Sequence, residues 1–192
     1  MAHLRKRTDR GATIVEAAIV YGLLFIALFA VLEFGLAFKD WLSVSHAARN
    51  GARAGATYGN DPRADIQILQ DIEATLAPAS IADGLQVNIF QADTAPPSTP
   101  FYTYTPGSDC SDLSPGGILD GCCDWTPCPD TWRATYTPPY WDPASRDVSA
   151  PFTQRIAVQV IFTHEWVTGF FAPDADFTTT TDFQIEPQVF DP

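Results

Sequence analysis

The sequence predicts an α+β fold, in which a long N-terminal helix packs on a small antiparallel sheet of about three strands, with a long Pro- and Cys-rich insertion. Three observations carry this. An uncharged apolar run over residues 17–32 is followed, without a break, by helical spacing as far as residue 58. Segments near 85–91 and 155–166 alternate apolar with polar residues, the period-two pattern of half-buried strands, and 178–189 is rich in β-branched residues. Residues 93–151 hold 11 of the 16 prolines and all four cysteines, which argues for an irregular insertion. A chain of 192 residues has room for one modest domain plus an anchor. The expected divisions are a basic leader at 1–11, the long helix at 12–58, and an acidic α+β domain at 59–192.

The leader and the first half of the helix set the topology. Arg5, Lys6, Arg7 and Arg10 face one acid, Asp9, just before the apolar run. About 20 apolar residues at 1.5 Å each cross a hydrocarbon core of roughly 30 Å. Residues 14–38 therefore suffice for a single pass through membrane lipid, with Glu16 and Glu33 as their only charged members. The positive charges put the N-terminus in the cytoplasm and the C-terminal domain outside. A secretory signal peptide has a shorter apolar core, and a helix on a globular surface is not apolar all round. Glu16 is the odd residue, because a charge at the bilayer centre costs roughly 2.5–3.5 kcal/mol. It either sits at headgroup depth or meets a basic group on another subunit. Glu33 reads as interfacial, close to Lys39 and Asp40.

Beyond the apolar run, Ala48, Gly51, Ala52, Gly55, Ala56 and Gly59 fall on one helix face, beside Arg49 and Arg53. Gly51-x-x-x-Gly55 lets another backbone come close. That face rests on the protein's own sheet, meets other subunits, or does each at a different height. Asp61-Pro62 reads as a helix start, followed by an apolar stripe of Ile66, Leu69, Ile72 and Leu76 over 63–77. Asp83-Gly84 turns the chain into the first strand. Arg155–Trp166 is the clearest strand, and 178–189 the last.

Arg10-Gly11-Ala12-Thr13-Ile14-Val15-Glu16 resembles the prepilin-peptidase site of type IV pilin-like proteins. Glu33-Phe34-Gly35 and the stretch Ala47-Ala48-Arg49-Asn50-Gly51-Ala52-Arg53-Ala54-Gly55-Ala56 look like the TadE/TadG family, minor pilins (pseudopilins) of tight-adherence, Flp-type pili. The resemblance covers residues 10–58 and reaches the C-terminal strands only loosely. It implies a pilin-like helix, cleavage after Gly11, a new N-terminus at Ala12, and Glu16 as the fifth mature residue. It departs from the family at Ala17, where an aromatic often follows the glutamate. The implied role is structural: a membrane-anchored component of pilus biogenesis and adhesion, which stays in the membrane or enters the fibre. Its implied partners are other pilins, the assembly platform and a prepilin peptidase. The Glu16 carboxylate would pair with the Ala12 amine of a neighbouring subunit, and an unpaired carboxylate there is expensive enough to select register. Gly51, Gly55, Arg49 and Arg53 are the expected subunit-packing residues.

The remaining motifs narrow the chemistry. From Thr57 onward four arginines face 19 acidic residues, about −15, which disfavours nucleic acid and anionic lipid. Cys110, Cys122, Cys123 and Cys128 lie outside the cytoplasm in this topology, so two disulfides are expected. A vicinal bridge is disfavoured, leaving 110–122 with 123–128 or 110–123 with 122–128. Zinc is the weaker reading, since paired C-x2-C knuckles are missing. The acids around the insertion invite calcium but match no EF-hand loop, and solvated acidity explains them. His3, His46 and His164 stand apart from one another, and no nucleophile elbow, P-loop or zinc-protease motif is present. The chain is therefore read as non-enzymatic, without cofactor or metal. The competing reading is an uncleaved single-pass protein whose aromatic, Cys-rich lobe binds a glycan or surface ligand.

Overall fold

A computed structural model describes residues 10–76, 85–98, 102–104, 132–134, 141–149, 153–169 and 174–187. Helix α1 runs from Arg10 to Tyr58, 49 residues, or roughly 73 Å at 1.5 Å per residue. Its two halves differ completely. No side chain described before Glu33 is buried. From Glu33 onward a stripe of Glu33, Ala37, Val44, Ala47, Ala48, Ala52 and Ala56 is buried against the rest of the chain. These residues recur at three-, four- and seven-residue steps, so one face of the helix covers the domain.

Gly59 ends the helix. Its φ of 55 is left-handed, and its N–H donates to the Gly55 carbonyl at 3.0 Å, so the last turn is closed by a residue without a Cβ penalty. The Glu186 N–H reaches the Ala56 carbonyl at 2.9 Å, satisfying a second terminal acceptor from the far end of the chain. Gly59→Ala is expected to lower stability by about 1 kcal/mol, since an L side chain in that conformation costs roughly 1–2 kcal/mol. The urea midpoint of the full-length protein in detergent measures it.

Asp61 starts the next helix as its residue type requires: its carboxylate accepts the Arg63 N–H at 2.7 Å. Helix α2, Ala64–Leu76, buries Ile66, Ile68, Leu69, Ile72 and Leu76. Full burial of each such side chain contributes about 1.5–3 kcal/mol. α2 lies beside α1, and both helices cover one face of the sheet.

The sheet contains β1 (Gln86–Gln91), β2 (Tyr102–Tyr104), β3 (Trp132–Ala134), β4 (Arg155–Glu165) and β5 (Asp174–Gln184). Its order is β3-β2-β1-β4-β5, and every neighbouring pair is antiparallel. The α+β class and the helix-on-sheet packing are as expected, and the three expected strands are β1, β4 and β5. Two more strands emerge from the stretch read as irregular. Each is three residues long, too short to show a period of two, and each is held by one fully buried aromatic, Tyr102 or Trp132. β5 begins at Asp174 rather than 178, because Phe177 pairs with Phe162 and Ala175 with His164 in register with β4. Phe162 and Phe177 stack at 5.2 Å between centroids, which fixes that register on the core face.

Candidate functional site

The exposed half of α1 is the first candidate. Gly11 opens it with free space where a side chain would stand. Ala12 follows in the same turn, and the exposed Glu16 comes one turn later. Thr13–Leu32 is 20 residues whose only ionisable side chains are Glu16 and Tyr21. Its large apolar groups, from Ile14 to Leu32, are exposed. The helix is long and apolar enough to cross a membrane, and its bare surface has the character that lipid or other apolar helices would cover.

Where that surface ends, the helix meets the β4–β5 connection. Glu33 is only 2% exposed, although it projects from an otherwise apolar turn. Its carboxylate accepts the backbone N–H of Val167 at 3.0 Å and that of Thr168 at 2.5 Å. Gly169, at a φ of 61, turns the chain immediately after these two donors. Two neighbouring N–H groups aimed at one carboxylate form strong, charge-assisted bonds. One helical stripe further on, Asp40 meets His164 Nδ1 at 2.9 Å. The His164 ring packs edge-on against Trp166 at 5.0 Å, and Trp166 packs edge-on against Phe34 at 5.6 Å. Glu33, Asp40, His164 and Trp166 thus tie the helix to the lower end of the sheet. His164 is 5% exposed, and its bond to Asp40 joins β4 to α1.

The glycine face is occupied from inside. A Cβ on Gly51 would stand 2.8 Å from Ile72 Cγ1, and one on Gly55 would stand 2.6 Å from Ile156 Cδ1 and 2.9 Å from Ile68 Cδ1. The close approach these glycines permit is therefore made by α2 and β4 of the same chain. Of the two contacts expected for this face, this is the one within the chain. Arg49 and Arg53 remain exposed beside it. Arg53 lines an open groove between α1 and α2 with Asn50, Tyr58, Asp71 and Thr75. Partial burial in this groove raises the Asp71 pKa above the ordinary carboxylate value.

A second polar centre lies inside the domain. Asp65 pairs with Arg146, both side chains being almost fully buried. The Tyr102 hydroxyl donates to the other Asp65 oxygen at 2.7 Å, and the Arg146 guanidinium lies 4.8 Å from the Trp141 ring centre. Helix α2 thereby holds β2 and residues 141–149, both from the proline-rich insertion. Cys110, Cys122, Cys123 and Cys128, with the disulfides expected of them, lie outside the described residues, as do Asp109, Asp112, Asp120, Asp124 and Asp130. Among the described residues, no group of three or more His, Cys, Asp or Glu side chains converges as a metal site.

The sequence singled out Glu33 only as an interfacial acid and His164 only as a strand residue. A signal was available: Glu33, Ala37, Asp40 and Val44 share the spacing of the buried stripe, so two acids fall on the face that meets the sheet. Residues 11–53 match a family model described as TadE-like protein. The match spans the exposed apolar half of α1, Glu33, Asp40, Gly51, Arg49 and Arg53, and ends within the helix. Neither a curated protein nor a solved structure matches the chain.

Proposed function

We propose, taking residues 11–53 as a TadE-like segment, that the protein is a minor pilin-like component of a tight-adherence, Flp-type pilus. The leader is cytoplasmic, α1 crosses the membrane, and the acidic domain lies outside. A prepilin peptidase cuts after Gly11, and other pilins and the assembly platform are the partners through Glu16 and the exposed apolar helix. The observation that carries this reading is the coincidence of the TadE-like match with Gly11 and Glu16 at the head of a bare apolar helix. Within an apolar bundle, Glu16 finds its partner in the Ala12 amine of a neighbour, where an unpaired charge is costly. Arg49 and Arg53, exposed above the membrane, remain open to contact with other subunits.

Mass spectrometry of the protein from its native membrane tests the processing step. The expected species begins at Ala12, and Gly11→Val is expected to retain residues 1–11. A wild-type chain that keeps its leader, beside an active peptidase, would overturn the pilin reading. It would favour an uncleaved anchor that displays a ligand-binding lobe.

A further inference from the structure

The apolar surface of α1 continues past Glu33 onto the domain itself. Phe34 and Phe38 are both 57% exposed on the helix, and Trp41 stacks on Phe38 at 5.8 Å. At the same height the β4–β5 connection presents Trp166, packed on Phe34, and then Val167. Val167, at 76%, is the most exposed large apolar side chain among the described residues. Ordinary folding hides such residues. Here Glu33 holds the backbone that carries them against the helix.

The same bonds place the membrane boundary. Thr13–Leu32 is 20 residues, about 30 Å of helix, which is enough to cross the hydrocarbon core. Had α1 stayed in hydrocarbon as far as residue 38, the irregular backbone at 166–169 would lie in hydrocarbon too. Lipid-exposed irregular backbone is not tolerated there, because its polar groups have no water to bond. The boundary therefore falls at Glu33, and Phe34, Phe38, Trp166 and Val167 stand at headgroup depth, where aromatic rings with one apolar and one wet side are favoured.

We propose that the domain is seated directly on the outer surface of the bilayer, with Trp166 and Val167, which follow β4, and Phe34 and Phe38 on α1, inserted at the lipid interface. The partner is a zwitterionic lipid surface. The patch is continuous with the bare membrane helix, and the strongly acidic domain repels anionic headgroups. This rests on the membrane-anchored reading of α1 and shortens the lipid-embedded run from 14–38 to 13–32. Glu33 acts as a positioning residue that sets the height of the domain.

The test uses the full-length chain in phosphatidylcholine vesicles whose acyl chains carry bromine near the headgroup or deep in the core. Tryptophan emission is expected to be quenched more by the shallow bromines. Trp166→Phe is expected to reduce that quenched fraction at least twofold, and Val167→Asp, which leaves every tryptophan in place, is expected to do the same. An unchanged quenched fraction in both variants overturns the seating. So does a Trp166 shielded from bromine at every protein-to-lipid ratio and cross-linked between two copies, which assigns the patch to a second molecule. Alkaline carbonate extraction of the same vesicles separates the premises: release of the wild-type chain removes the anchor itself, whereas retention with an unquenched Trp166 removes only the seating.

Discussion

Asp65→Ala is expected to destabilise the domain by about 3–5 kcal/mol, the ordinary consequence of leaving one partner of a buried ion pair alone. Arg146 has no exposed side-chain surface, so its guanidinium could not recover its hydration without opening the lobe. The Tyr102 hydroxyl would lose its acceptor as well, and an unsatisfied buried group adds about 1–3 kcal/mol by itself. The damage should be local before it is global. Residues 102–104 and 141–149 would exchange amide hydrogens sooner than β4. Urea unfolding followed by tryptophan emission measures the total, and hydrogen exchange measures the order. Combining Asp65→Leu with Arg146→Met should recover much of the loss, because apolar replacement of a whole buried pair is often neutral. A loss below about 1 kcal/mol for the single substitution would show that the pair is hydrated and does not hold the lobe.

Ile68→Ala is expected to cost about 2–5 kcal/mol, the range for deleting a large aliphatic side chain from a packed core. Ile68 is fully buried, and its methyl groups fill the hollows over both Gly51 and Gly55. Gly55→Ala should cost less in the wild type, because the atoms it meets are the movable ends of Ile156 and Ile68. In the Ile68→Ala background that cost should shrink further, since the Ile68 contact is then gone and only Ile156 must move. A double-mutant cycle reads this coupling directly. The two uses of the glycine face separate cleanly. Loss of stability in the isolated full-length chain supports packing within the subunit. Normal stability with failed fibre assembly would return the face to contact between subunits.

Much of the fold was legible because its signals are local. The apolar run, the small-residue face, the stripe of α2 and the alternation in β1 and β4 each depend on residues a few positions apart. Asp61 announced the start of the second helix through its own preference for capping, whereas Gly59, read only as part of the small-residue face, ends the first helix through a left-handed φ that the structure revealed. Two short strands escaped because three residues carry no period. The start of β5 was placed too late because Asp174–Phe177 becomes strand only by pairing with β4. Of the candidate site, Gly11, Ala12 and Glu16 were singled out through the resemblance of residues 10–16 to a prepilin-peptidase site.

By itself the sequence determined the long N-terminal helix, the charge bias around it, and the period of α2, β1 and β4, because 3.6- and 2-residue repeats are properties of neighbouring residues. Only the tertiary structure decided who meets whom. Asp65 and Arg146 are 81 residues apart, and Glu33 and Val167 are 134 apart. That Ile68 and Ile72 of α2 and Ile156 of β4 stand over Gly51 and Gly55 is likewise visible only in the packing. A pattern states that a face is apolar, small or charged; the closure of the chain supplies its partner.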